Sequence, residues 1–429
     1  MVSADSVAHA VAGQENLIGS LFDELRQNTT EGRGIRRDAY GKGENFAHRL
    51  LARTARSLGL DVECDGALNT YITLKGQDRS APRLIVGSHL DSVPDGGNFD
   101  GAAGVISGLA ALAALKSAGV QPNSDITAMA FRAEESIWFS TSLFGSRAAM
   151  GDVPTGILDN LKRADTGRTL GDHISECGGN LDELRDGKAY LQPKAIKAYL
   201  EIHIEQGPVL EAEGIPVGIV TGVRGNSRRT AAKVLGEYNH CGGVPQAYRH
   251  DAVVAASELV HRLDETWREW TKKNKDMAFT VGKMFTNPDR HALVNISGEV
   301  TFSLDIRSVE QKLLTELESL FESLCDQIAK EKGVRFDLGP AIRSPVGVVE
   351  PSILHHLVKG AESLKIHYRL MPSGASHDAA AFARAGVPMG MIFVRNKNGS
   401  HNPDEAMEIG NLMQAAKLMT WWLAENSRQ

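Results

Sequence analysis

Short apolar runs bounded by turn residues, with helical stretches between them, predict an α/β fold whose sheet is mostly parallel. A change of pattern in the middle of the chain predicts an inserted α+β domain. The strand-like runs are RLIVG at 83–87, ITAMAF at 126–131, AYLEIHI at 198–204 and PMGMIFV at 388–394. A small-residue helix is expected over 101–115 and a shorter one over 376–385. The middle reads as a strand near 229–235, a helix over 250–273, strands near 279–285 and 299–306, a helix over 309–332 and a strand at 334–338. That order, β-α-β-β-α-β, is the split ferredoxin-like pattern. The expected division is 1–221 and 342–429 for the α/β domain and 222–341 for the insert.

The bulk numbers agree with such a chain and exclude several classes. At 429 residues it suits two domains better than one core. Apolar residues at 42% and charged residues at 23% are ordinary for a globular protein and argue against disorder. A net charge of −6 with no basic stripe makes a nucleic-acid partner unexpected. Cys64, Cys177, Cys241 and Cys325 are scattered with no CxxC pair, which fits reduced thiols and a cytoplasmic location. The N-terminus lacks a basic-then-apolar signal pattern. The most apolar stretch, 101–115, is shorter than the ~20 residues of a membrane span, so no membrane partner is expected.

Four segments carry the polar residues that could do chemistry. GSHLDSVP at 87–94 puts His89 just past a strand, with Asp91 two residues on, as a metal ligand and its orienting carboxylate would lie. Asp100, in a Gly-rich loop opening a helix, could offer one oxygen to each of two cations, or simply cap that helix. Glu134 and Glu135 end another strand; adjacent buried carboxylates need a cation or a proton, whereas an exposed acidic turn needs neither. With a cation, one would ligate and the other act as general base. Alternation in EIHIEQGP puts Glu201, His203 and Glu205 on one strand face, making His203 a ligand candidate. His401, in GSHNPDE before the last helix, reads as a fourth candidate or as a solvated loop residue. Together the segments supply the nitrogen and oxygen ligands of a borderline metal pair.

In order and spacing these segments resemble the zinc aminoacylase/carboxypeptidase clan, and within it the hydantoinase/carbamoylase amidases. That branch carries GSHxDSVxxGGxxDGxxGV, an EE pair, HIEQGPxLE and SGAGHDA. This chain has near-intact counterparts at 87–105, 134–135, 203–211 (HIEQGPVLE) and 373–379 (SGASHDA). The resemblance implies a metallohydrolase domain with an inserted lid and dimerisation domain, and two divalent ions per subunit, zinc or else manganese, cobalt or nickel. It implies that His89, Asp100 and His203 hold one ion and Asp100, Glu135 and His401 the other, with Glu134 as general base and Asp91 orienting His89. Gln206 would face the scissile group, while Arg307 would grip a substrate carboxylate with Asn295 near it. His377 and Gly374 would lie on the substrate side. His240 would reach the active site of the other subunit in a homodimer and stabilise the oxyanion. The implied activity is cleavage of the C–N bond of an N-carbamoyl amino acid or related ureido acid. Alternatives are an N-acyl amino acid amidohydrolase or dipeptidase of the same clan, and a catalytically silent binding protein, which the complete ligand set and Glu134 count against.

Three departures from the branch fall on substrate recognition. Trp138 stands where an arginine is usual, the NHAGTTPM segment reads NHCGGVPQ from Asn239, and the loop at Asn295 is one residue short. If the Trp138 indole faces the pocket, a preference for bulky or aromatic substrates over small acidic ureides such as allantoate is expected. If it turns inward it only packs the loop.

Overall fold

The computed structural model describes residues 4–427; residues 1–3 and 428–429, at the two ends of the expected α/β segments, lie outside the described residues. The chain forms two compact units: Met1–Thr221, Val348–Met371 and Ser376–Gln429 make one, Gly222–Gly347 with Pro372–Ala375 the other.

The first unit is built on an eight-stranded sheet. Its centre is four parallel strands, in spatial order Met389–Val394, Ile196–Ile204, Arg83–His89 and Ile126–Phe131. These are the four apolar runs visible in the sequence. They read as predominantly apolar stretches because both faces of a parallel sheet are covered. Thr70–Leu74 and Asp61–Cys64 extend one edge in antiparallel fashion, and Val217–Val223 and Tyr368–Ser373 form the other. Helix Ala102–Ser117 is buried from Ala102 to Leu115 and packs with helix Ile409–Asn426 in the main core. It lies so close to the sheet that a Cβ on Gly104 would sit 2.1 Å from the Ile202 carbonyl oxygen. Only glycine permits that approach.

The second unit is an antiparallel sheet in the order Ala278–Thr280, Glu299–Ser308, Gly225–Leu235, Arg335–Asp337. Helices Ala252–Lys272 and Gln311–Lys332 share its core through Leu259, Leu263, Leu317 and Phe321. Where one strand was expected at 279–285 there are two, Ala278–Thr280 and Met284–Thr286, both paired with Glu299–Ser308. Four steps from Thr280 to Met284 face three from Asp305 to Phe302, so an extra residue beside Gly282 breaks the ladder as a bulge. Strand Ile342–Ser344 also pairs with Gly225–Leu235 and carries the unit past residue 341. All three of its residues are exposed, so no apolar alternation marks it in the sequence.

Among the described residues, no helix is long and apolar enough to cross a membrane.

Candidate metal centre and active site

The parallel strands end at one edge of the sheet, and the polar motifs lie there. His89 closes its strand opposite Phe131, and residues 132–135 follow directly. His203 is the penultimate residue of its strand. Asp100 precedes helix Ala102–Ser117; next to it Gly101 has φ +66, and a Cβ there would lie 2.5 Å from the His89 ring. Glycine alone lets the Asp100 loop close over His89. His401 comes from the loop before the last helix, with its backbone in the left-handed region at φ 60.

Asp100 stands between two groups of ligand atoms. Its Oδ1 lies 3.1 Å from His203 Nε2 and 3.6 Å from His89 Nε2. Its Oδ2 lies 3.4 Å from His401 Nε2, which is 3.2 Å from Glu135 Oε1. His89–Asp100–His203 and Asp100–Glu135–His401 each keep their donor atoms within 4.8 Å of one another. A tetrahedral ion with zinc-like bond lengths separates its ligand atoms by about 3.3–3.5 Å, close to these spacings. Asp100 Oδ1 is buried and accepts no hydrogen bond. An orphaned carboxylate oxygen faced by two imidazole nitrogens is an arrangement that a cation satisfies.

The imidazoles are turned by their other nitrogens. His89 Nδ1 is 3.1 Å from the Asp91 carbonyl oxygen and 3.4 Å from Asp91 Oδ1, and His203 Nδ1 is 3.0 Å from the Ile204 carbonyl oxygen. Both rings thereby present Nε2 to Asp100. Glu201, His203 and His377 also lie within ligand distance of one another. The Glu201 oxygens, however, already accept from Ser88 Oγ at 2.8 Å and from the Ala379 N–H at 2.8 Å, so this cluster braces strands. Glu205 likewise caps a helix, accepting from the N–H groups of Val209 and Leu210 at 2.8 and 2.7 Å. Of the three acid and imidazole groups in EIHIE, only His203 joins the Asp100 cluster.

Charge at the centre is strongly perturbed. Burial alone would raise Asp100, but His203, His401 and His89 hold it well below the usual carboxylate range. Burial, then Glu135 and Asp378, push Glu134 well above its ordinary value against the pull of His89. Burial also pushes His377 well below the usual imidazole value, with His203 adding to the effect; its ring centroid lies 4.3 Å from that of His203, the planes tilted by 50°.

Several residues that steer Asp100 carry no mark in the sequence. Arg37 is fully buried and donates from Nε to the Leu90 carbonyl at 2.7 Å and from Nη2 to the Asp100 carbonyl at 3.3 Å. Glu405 Oε1 accepts from the N–H groups of Phe99 and Asp100 at 2.9 and 3.2 Å. The Ser400 hydroxyl bonds Asp100 Oδ2 and lies 2.6 Å from Glu405 Oε2. Gln206, expected to face the scissile group, donates from Nε2 to Asp100 Oδ2 at 2.9 Å.

The expected residues of the second unit are placed as follows. His240 and Asn295 are cross-strand partners in a two-residue ladder, both exposed. His240 Nδ1 accepts from the N–H groups of Gly242 and Gly243 at 3.1 and 3.0 Å, which leaves Nε2 as the ring's donor. Arg307 makes a side-on bidentate pair with Asp305, at 3.0 and 2.8 Å, and donates to the Gly374 carbonyl at 2.6 Å. Two of its five N–H groups remain for a ligand.

Trp138 does not face a pocket. Its side chain is 3% exposed, Nε1 donates to the Ser92 carbonyl at 2.8 Å, and the guanidinium carbons of Arg36 and Arg163 lie 5.1 and 4.9 Å from the ring centroid. Two cations against the ring and a satisfied N–H turn the indole inward. The expectation of an aromatic substrate preference, which rested on an outward indole, loses its basis.

Comparison with known proteins identifies the class. Residues 85–425 match the profile of peptidase family M20/M25/M40, and the chain belongs to that family. It is therefore a hydrolase, and proteins named as amidohydrolases match it over most of its length. It is 31% identical over 391 residues to N-carbamoyl-L-amino-acid amidohydrolase of Pseudomonas sp. (strain NS671), covering 91% of this chain and 92% of that one. It is 33% identical over 386 residues to allantoate amidohydrolase of Escherichia coli (strain K12), covering 89% of each. The crystal structure of a hydantoinase/carbamoylase family amidase from Burkholderia ambifaria superposes with a TM-score of 0.84 at 28% identity, over 96% of this chain and 95% of that one.

Proposed function

We propose that the enzyme hydrolyses the C–N bond of an N-carbamoyl amino acid or related ureido acid, with two divalent ions shared through Asp100. The observation that carries this is Asp100 itself, whose two oxygens face two separate ligand groups and whose Oδ1 is buried without a hydrogen bond. When bound, the ions supply Lewis acidity, activating water and polarising the carbonyl. Glu134, buried and outside both ligand groups, takes the proton of the attacking water as its oxygen bonds the carbonyl carbon. It then returns the proton to the leaving nitrogen as the C–N bond breaks. The amino acid departs, and the remaining carbamic acid falls to ammonia and carbon dioxide. Arg307 supplies the carboxylate recognition that the resemblance implies, through its two uncommitted N–H groups. His240, donating from Nε2, stabilises the oxyanion.

The test is a screen of carbamoyl, acyl and peptidyl amino acids, together with allantoate, on metal-defined protein. Chelation should abolish turnover, and zinc, manganese, cobalt or nickel should restore it on carbamoyl substrates. Full activity in protein containing no metal overturns the reading, and turnover of acyl or peptidyl substrates alone redirects it to another branch of the family.

The site reading includes a cytoplasmic homodimer in which His240 serves the partner's centre. Phe285, Leu293 and Val294, exposed by 52, 100 and 53%, are apolar surface of the second unit that a second copy would cover. Mixing His240→Ala subunits with Glu134→Gln subunits should recover activity in heterodimers, which contain one intact site. No recovery after verified subunit exchange means that His240 acts within its own chain or not at all.

A further inference from the structure

The turn that carries the paired glutamates is held at each backbone N–H by a buried side chain from elsewhere in the first unit. Arg132 N donates to Asn69 Oδ1, Ala133 N to Glu44 Oε1, Glu134 N to Asp91 Oδ1 and Glu135 N to Asp91 Oδ2, each at 3.0 Å. The carbonyls are taken up as well: those of Arg132, Ala133 and Glu134 accept from the N–H groups of Gly145, Phe144 and Leu143 at 2.9, 3.1 and 2.9 Å. Ala133 sits in the left-handed region at φ 52. A residue with a Cβ stays there only when its surroundings over-determine it. Beyond this bend Glu135 reaches His401 at 3.2 Å, while Glu134 belongs to neither ligand group.

Glu44, like Asn69, is a member of this cradle that the chemistry above does not use. It enters from helix Lys42–Ser57 and is fully buried. Besides Ala133 N it receives the Tyr40 N–H at 2.6 Å and Arg132 Nη1 at 2.8 Å, both on Oε2. Both oxygens accept, the pattern of an ionised carboxylate. Burial pushes its pKa up to about 7, with Arg132 pulling the other way. A buried ion pair is weak as a source of stability, since an apolar pair of similar volume often does as well. What the carboxylate supplies here is a fixed acceptor for the N–H of a strained residue.

We propose that Glu44 is a positioning residue for the general base: it locks Ala133 in its left-handed turn and so aims Glu134 apart from Glu135. The proposal rests on Glu134 being that base. Glutamine at position 44 would turn its NH2 toward either the Ala133 N–H or the Tyr40 N–H and Arg132 guanidinium, setting donor against donor. Displacing a reacting group by about 1 Å costs up to roughly 10²-fold in rate.

Glu44→Gln should therefore lower kcat by roughly 10–100-fold while KM and metal content stay at wild-type values. Hydrogen exchange at the amides of 133–135 should speed up in the same variant. The double variant Glu44→Met/Arg132→Met removes both charges, so no lone cation is left buried, and should show the same kcat loss. Leu50→Ala, a core change in the same helix, should lower Tm and leave kcat unchanged below melting. A kcat within twofold of wild type in both Glu44 variants overturns the proposal, as does a rate loss that tracks metal loss. If both fail to fold while Leu50→Ala folds, Glu44 is structural only, and the proposal also falls. Glu134→Gln, assayed alongside, separates the two readings. If it keeps full rate the base assignment itself fails, whereas an inactive Glu134→Gln beside an active Glu44→Gln rejects only the role of Glu44.

Discussion

On the proposed two-ion reading, Glu134→Gln should keep both ions and lose roughly 10²–10⁴-fold in rate, the scale of a missing general base. Glu135→Gln should instead weaken occupancy of one site. The asymmetry follows from position: Glu135 Oε1 lies 3.2 Å from His401 Nε2, inside a group that could hold an ion, while buried Glu134 lies outside both such groups. The two substitutions are nearly isosteric, so their effects report on charge more than on packing. Elemental analysis with kcat measured on the same samples checks this. Metal loss in Glu134→Gln with full metal in Glu135→Gln would exchange the two roles.

Trp138→Ala should cost about 3–5 kcal/mol of stability, the usual range for removing a buried tryptophan. The indole is 3% exposed, spends its N–H on Ser92, and lies against the guanidiniums of Arg36 and Arg163. Those arginines are held in turn by Asp165, at 2.7 and 2.8 Å. Trp138→Arg should be at least as damaging, because it brings a third guanidinium between two others. In whatever fraction folds, the ratio of catalytic efficiencies on aromatic and small carbamoyl substrates should stay at the wild-type value. Urea unfolding with steady-state kinetics tests both statements. Near-native stability together with a shifted ratio would return Trp138 to the substrate pocket.

The central strands were legible because their cause is local. A strand buried on both faces is mostly apolar, and ITAMAF and AYLEIHI announce this without reference to any partner, the exceptions Glu201 and His203 lying near the strand end that carries the site. The candidate ligands were legible for a related reason: His89, Asp100, Glu135, His203 and His401, which the structure gathers into two groups able to hold a metal, lie in turns or at strand ends, where polar residues break an apolar pattern. The direction of a side chain is not local. Trp138 turns inward because Arg36 and Arg163 meet across it, and nothing in SIWF states that they will. Arg37 reaches the Asp100 carbonyl across 63 residues, and Glu405 reaches the Phe99 N–H across 306. Each reads in the sequence as an ordinary loop charge. Exposed edge strands such as Ile342–Ser344 were invisible because backbone pairing alone defines them. The sequence by itself determined which residues could bind metal and which runs would be buried, since composition and period follow from burial. The tertiary structure alone decided how the paired glutamates diverge and what holds them, since hydrogen bonds between distant segments set a backbone angle that no neighbouring residue dictates.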